Sequence, residues 1–174
     1  MATESTHPVH AINRFLWDRI STDGILSKTD YTTAEFPQGI VPIVPVEETP
    51  VLMGIIDAQA GVGSLPYIVY TWSKVPGGQD WFIKEHEVAY ALRSADNTKT
   101  RRLLNLFENL FEDYDQAAHR VNAYNMTNGS QPLKRFHFKE IHLSMLGSQM
   151  PAEREAGVNE ALISIRVKYT EPKF

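Results

Sequence analysis

Between Thr98 and Val121 the apolar positions recur with a helical period. At about 100° per residue, Leu103, Leu106, Phe107, Leu110, Tyr114, Ala117, Ala118 and Val121 share one side, with Leu104 and Phe111 at its border. Asn105, Glu108, Asn109, Glu112, Asp115, Gln116, His119 and Arg120 take the other. No Gly or Pro interrupts the run, and Asp96, Asn97 and Thr98 offer capping side chains. The pattern predicts one amphipathic rod about 35 Å long, whose apolar side needs a sheet to cover.

Strand-like alternation on either side supplies that sheet. Tyr67–Ser73 is β-branched and aromatic, the Val75–Gln79 segment is a turn, and Trp81–Ser94 returns with Phe82, Val88, Tyr90 and Leu92 in one phase and Glu85 and Glu87 in the other. Phe136 and Phe138 are in phase, Ile141, Leu143 and Met145 are in the opposite phase, and the switch predicts a bulge near Lys139 within a strand over Arg135–Leu146. Val158–Thr170 closes the chain as a strand, with Ala161, Ile163, Ile165, Val167 and Tyr169 inward. Asn122–Arg135 and Gly147–Gly157 read as polar loops.

At the front, residues 1–6 read as flexible. Pro8 then opens a short helix behind Thr6 or His7, in which Val9, Ile12, Phe15, Leu16 and Ile20 share a stripe and Gly24 lets the chain leave. From Thr29 to Gly63 the prolines at 37, 42, 45 and 50 exclude a helix, yet the segment is too apolar for a solvated loop. It reads as a Pro-rich extended arm, lying over its own core or a neighbour's. The fold class expected is α+β: a mostly antiparallel sheet of about four strands with one long helix packed on a face, in a single domain over 1–174.

Composition narrows the chemistry. Hydrophobic residues make up 43% and charged residues 22% of the 174, ordinary globular values. A net charge of −4 argues against sequence-specific or general nucleic-acid binding, which needs clustered Lys and Arg. With no cysteine there is neither a disulfide framework nor a thiolate metal site. The opening MATESTHP is not a secretion signal, and no apolar run approaches the roughly 20 residues of a membrane span.

The six histidines give no zincin-like spacing. His137 and His142 fall on opposite faces of a strand unless the bulge intervenes, His86 reads as the exposed face of a hairpin, and His7 and His10 sit near a loose terminus. There is no nucleophile elbow, and Gly61 and Gly63 lack the Lys and the following helix of a phosphate loop. The expectation is therefore no catalysis, no metal and no cofactor.

The charges on the predicted rod are less ordinary. Arg101 and Arg102 sit near its N-terminus and Glu108, Glu112, Asp113 and Asp115 toward its C-terminal half, each opposing the helix dipole. Charges so placed suit a neighbour in a head-to-tail ring. Trp17 and the arm residues Ile40, Ile43 and Val46 are the apolar candidates for the same contact, since aromatics are enriched at interfaces.

The order of elements resembles that of the tail terminator, or tail completion, proteins of tailed bacteriophages. The features that carry it are the short helix Val9–Ile20, the Pro-rich segment and the strand from Leu65-Pro66-Tyr67. Its partner runs from Trp81-Phe82-Ile83 to Val88-Ala89-Tyr90; the helix with Asp115-Gln116-Ala117-Ala118 and the closing strand Ala161–Tyr169 complete the set. The resemblance spans nearly the whole chain and is one of pattern. It implies a non-enzymatic virion protein that forms a ring, usually sixfold, at the head-proximal end of the tail, and that is made in the host cytoplasm. Its implied partners are copies of itself, the tail tube protein, neck or head-completion proteins and the sheath protein. Another head–tail connector or neck protein, or a tail assembly factor, is the alternative within that setting. A small cytoplasmic enzyme or ligand-binding domain is the alternative outside it.

Overall fold

The structure is a computed structural model and describes residues 7–26, 42–48, 66–79, 82–129, 131–151 and 159–171. In chain order the described elements begin with helix α1 (Pro8–Thr22), strand β1 (Ile43–Pro45) and a 3-10 turn (Val46–Glu48). Strands β2 (Tyr67–Gln79) and β3 (Ile83–Ser94) follow, then helices α2 (Asn97–Phe111) and α3 (Tyr114–Asn128). A single helical turn α4 (Gln131–Lys134) leads into strands β4 (His137–Pro151) and β5 (Asn159–Thr170). Among the described residues the fold is α+β, with three longer helices, the single turn α4 and a five-stranded mixed sheet in the order β1-β2-β3-β5-β4.

Alternation places the sheet. In β3, His86, Val88, Tyr90, Leu92 and Ser94 are buried, while Glu85, Glu87, Ala89, Ala91 and Arg93 are only half-buried on the other face. β5 does the same with Ala161, Ile163, Ile165, Val167 and Tyr169 inward. The helices cover this inward face. Ile12, Leu16 and Ile20 of α1, Leu103, Phe107 and Phe111 of α2, and Ala117, Ala118 and Val121 of α3 close the core. A polar pair is admitted there: the Tyr90 hydroxyl donates to Asn13 Oδ1 at 2.9 Å, while Asn13 Nδ2 is buried without a hydrogen-bond partner.

The opposite face is charged and cross-paired. Arg93 meets Glu160 at 2.6 Å, Lys168 meets Glu140 at 2.9 Å and Arg166 meets Glu85 at 3.6 Å. The bulge expected near Lys139 is present as a register shift between Phe138 and Glu140. It sets Phe138 and Ile141 inward and both His137 and His142 on the outward face, where they pair with Thr170 and Arg166. A second shift between Leu143 and Met145 turns Met145 outward, against the phase expected of it.

Four expectations are corrected. The single long rod is two helices: the chain breaks after Phe111, Asp113 takes extended dihedrals, and its carboxylate accepts from Gln116 N at 3.3 Å as a new N-cap. An Asp that can cap outcompetes continued helix at that point, and the break lets α3 turn along β4. Leu110 is buried as expected and Leu106 only half so; the Tyr114 side chain falls outside what is described.

The second correction concerns Asn122–Arg135, which is not a loop. α3 runs on through Asn128: Asn122 bonds β4 and Asn128 Nδ2 donates to Tyr124 O at 3.4 Å, while the Asn125 carboxamide is buried without a hydrogen-bond partner. The helix stops at Gly129, whose N–H meets Asn125 O at 3.0 Å; a Cβ there would stand 2.6 Å from the same oxygen. Third, the Gly147–Gly157 loop begins later, since β4 continues to Pro151; residues 152–158 lie outside the described residues. Fourth, the sheet among the described residues has five strands and one parallel pair, because the middle of the arm adds to β2 as β1, with Ile43 opposite Ile68. That part of the arm thus lies on its own core. Residues 1–6, most of the arm including Ile40, the Gly61–Gly63 segment and Trp81 lie outside the described residues. No helix among the described residues is long and apolar enough to cross a membrane.

Candidate functional site

The residues singled out from the sequence do not converge. Trp17 is half-buried and packs against the core, and Ile43 is buried in β1. Val46 is 45% exposed where the 3-10 turn leaves the sheet. Arg101 and Arg102 are exposed, but α2 begins at Asn97, so they lie in its second turn, where the dipole penalty is smaller. Arg102 has a partner in its own chain: it meets Asp23 Oδ2 and Asp23 O, each at 3.2 Å. Glu112, Asp113 and Asp115 are exposed and Glu108 is half-buried. Because the rod is broken, Asp113 caps α3 and Asp115 lies in its first turn, where a negative charge is favoured. The argument from charges opposing one long dipole is therefore corrected for these two acids; Glu112 still sits at the C-terminus of α2.

A group that does converge was missed. At the end of the sheet nearest the start of α1, β2 supplies Trp72 and Lys74, β3 supplies Lys84 and His86, and β5 supplies Tyr169. His7 caps α1, its Nδ1 accepting from Val9 N at 3.4 Å. The His7 ring stands edge-on to Trp72 with centroids 4.6 Å apart, and His86 lies stacked on Trp72 at 4.4 Å and 21°. Tyr169 is 5.5 Å from His86, with Phe136 and Phe138 beyond it at 5.9 and 6.2 Å. His86 is not on an exposed hairpin face; it is 4% exposed, and its Nδ1 is buried with no hydrogen-bond partner. Its parity with Val88, Tyr90 and Leu92 was the available signal, masked by its two acidic neighbours.

Burial, then the positive charges of His7, Lys74 and Lys84, push His86 down to about 4. Burial and His10 lower His7 as well. At neutral pH both rings are therefore uncharged, and His86 holds no proton to give as a general acid. Lys84 is 3.7 Å from Glu171, which also pairs with Arg135. Lys74, directly across from His86 in the ladder, is exposed and makes no ion pair among the described residues.

Comparison with known proteins finds no family model that matches this chain and no curated protein that matches its sequence. Function has to be argued from the site. Among the described residues no three His, Cys, Asp or Glu side chains are grouped so as to hold a metal ion.

The two edges of the sheet complete the picture. On β4, the Asn122 carboxamide takes both outward backbone groups of Phe138, donating to its carbonyl at 2.8 Å and accepting from its N–H at 2.9 Å. On β2, Ile68 N–H turns outward to Pro42 O at 3.0 Å, so Tyr70, Trp72 and Lys74 present their backbone groups to the same side. β1 reaches only as far as Tyr70.

Proposed function

We propose that this chain is a non-enzymatic structural subunit of a bacteriophage tail, forming a ring at its head-proximal end. There it ends growth of the tail tube and joins the tail to the head or neck. What supports the reading is the order of elements. A short N-terminal helix, a β-hairpin, the helices that cover one face, and a closing hairpin of β4 and β5 follow the layout of the tail terminator proteins. The charged face and the open edge of β2 add chemistry suited to contact with other chains. The partners are further copies in a hexameric ring, the tube protein, neck proteins and, in a contractile tail, the sheath.

Electron microscopy of the purified protein, alone and mixed with a tail tube subunit from the same source, tests this. Ring-shaped particles, and tubes that stop lengthening when the protein is added, are expected. A protein that stays monomeric and leaves tube growth unchanged overturns the reading.

A further inference from the structure

We infer that the outer edge of β2, from Trp72 to Lys74, receives an extended acidic segment of a partner protein as an added strand. The first ground is the backbone. β1 pairs with β2 only from Ile68 to Tyr70, and the Val46–Glu48 turn that follows packs near β2 without extending the ladder. Trp72 and Lys74 continue the outward-facing set begun by Ile68, and among the described residues nothing bonds them on that side. Unpaired N–H and C=O groups in a regular strand are a template for another strand.

The second ground is contrast within the same sheet. The β4 edge is closed at Phe138 by Asn122 and broken by register shifts on either side of Glu140–Leu143. Native sheets blunt edges that are not to be paired in this way. From Trp72 to Lys74, β2 keeps a regular register with β3, its irregularity beginning only after Lys74.

The third ground is charge and supplies the partner's chemistry. On the helix side of this edge stand Lys74, Lys84, His7 and His86, with His10 one step behind. Lys84 is held by Glu171, and Lys74 by no carboxylate among the described residues. The outward-face neighbours are Thr71 and Ser73, small and uncharged. A strand laid along the edge alternates its side chains between these two sides. An acidic side chain on the helix side would meet Lys74 over the half-exposed face of Trp72, whose ring is already fixed by His7 and His86. A basic one would stand against Lys74, with no carboxylate paired to it among the described residues to offset the repulsion. This site does not depend on the chain forming a ring.

The test uses the full chain and two short peptides, one alternating Thr with Glu and one alternating Thr with Lys. Amide hydrogen exchange and backbone chemical shifts are followed by NMR. The Thr–Glu peptide should slow exchange at Trp72 and Lys74, and bind at least about tenfold more tightly than the Thr–Lys peptide, like charges being penalised. Lys74→Glu, judged folded by an unchanged spectrum elsewhere, should reverse the preference. Equal binding of both peptides, protection on β4 instead, or no binding overturns the proposal. Protection of Trp72 and Lys74 that rises with protein concentration and no peptide present also overturns it, since a second copy would then be the occupant.

Discussion

Along β4 the chain sets a side chain on the outer edge and three register shifts in the strand, whereas along β2 beyond Tyr70 it leaves the backbone groups of Trp72 and Lys74 unbonded among the described residues. The two strands are of similar length and lie in one sheet, so the difference is not one of secondary structure. Exposed edges invite pairing with any extended chain. A protein that closes one edge with Asn122 and leaves the other regular and flanked by lysines has separated the place where pairing is harmful from the place where it is useful.

That comparison breaks first at its anchor. Phe138 is buried beside Tyr169 and fixes the position at which Asn122 meets β4. Phe138→Ala should lower stability by about 3–5 kcal/mol, measured by denaturant unfolding. A loss below 1 kcal/mol would mean that β4 is not seated as described. Asn122→Ala leaves two backbone groups without their partner and should cost about 2–3 kcal/mol. It should also make the protein aggregate through β4, seen as a concentration-dependent rise in light scattering that the parent lacks.

How far these edges can be read from the sequence depends on the kind of signal. Alternation marks β3 and β5, and the phase switch between Phe138 and Ile141 marks the bulge, because burial on one face leaves a two-residue period. The Asn122 clamp leaves no such trace. An asparagine in a run of asparagines looks like loop composition, and its meaning comes from a strand sixteen residues away. Asp113 fails in the same manner: on a wheel it is one more acid on a polar face, and only its extended backbone makes it a cap. The His86 stack was half legible, since parity alone puts that ring inward.

The next test sharpens the β2 side by pH. Free in an unfolded chain, His86 would titrate near 6.5, while in the fold it is held down to about 4. Between these values the unfolded chain takes up a proton that the folded ring refuses, so stability should fall as pH drops through this window. With Lys74 and Lys84 near solvent, a loss of about 1–2 kcal/mol by pH 4 is expected. His86→Phe should flatten that part of the profile; an unchanged slope would show that the ring is not the group responsible.

The smallest effect is expected at Lys74 itself. With no ion pair among the described residues, it should tolerate Lys74→Glu within about 0.5 kcal/mol, checked by thermal melting. A larger loss would mean that this lysine supports the fold rather than a partner. Arg102→Ala, breaking the exposed pair with Asp23, should likewise cost under about 1 kcal/mol.

The Asn122 clamp also bears on time. It joins residues sixteen apart, whereas the Arg93–Glu160 contact between β3 and β5 spans 67. Closing the shorter loop is cheaper by roughly 1.2 kcal/mol, two doublings of length at about 0.6 each. Contacts of low sequence separation form ahead of distant ones. This clamp and the β4–β5 hairpin, whose strands are neighbours in sequence, can therefore both form before β5 is joined to β3. By the time β3 joins, Asn122 has closed the far side of β4, and only the free side of β5 is open to it.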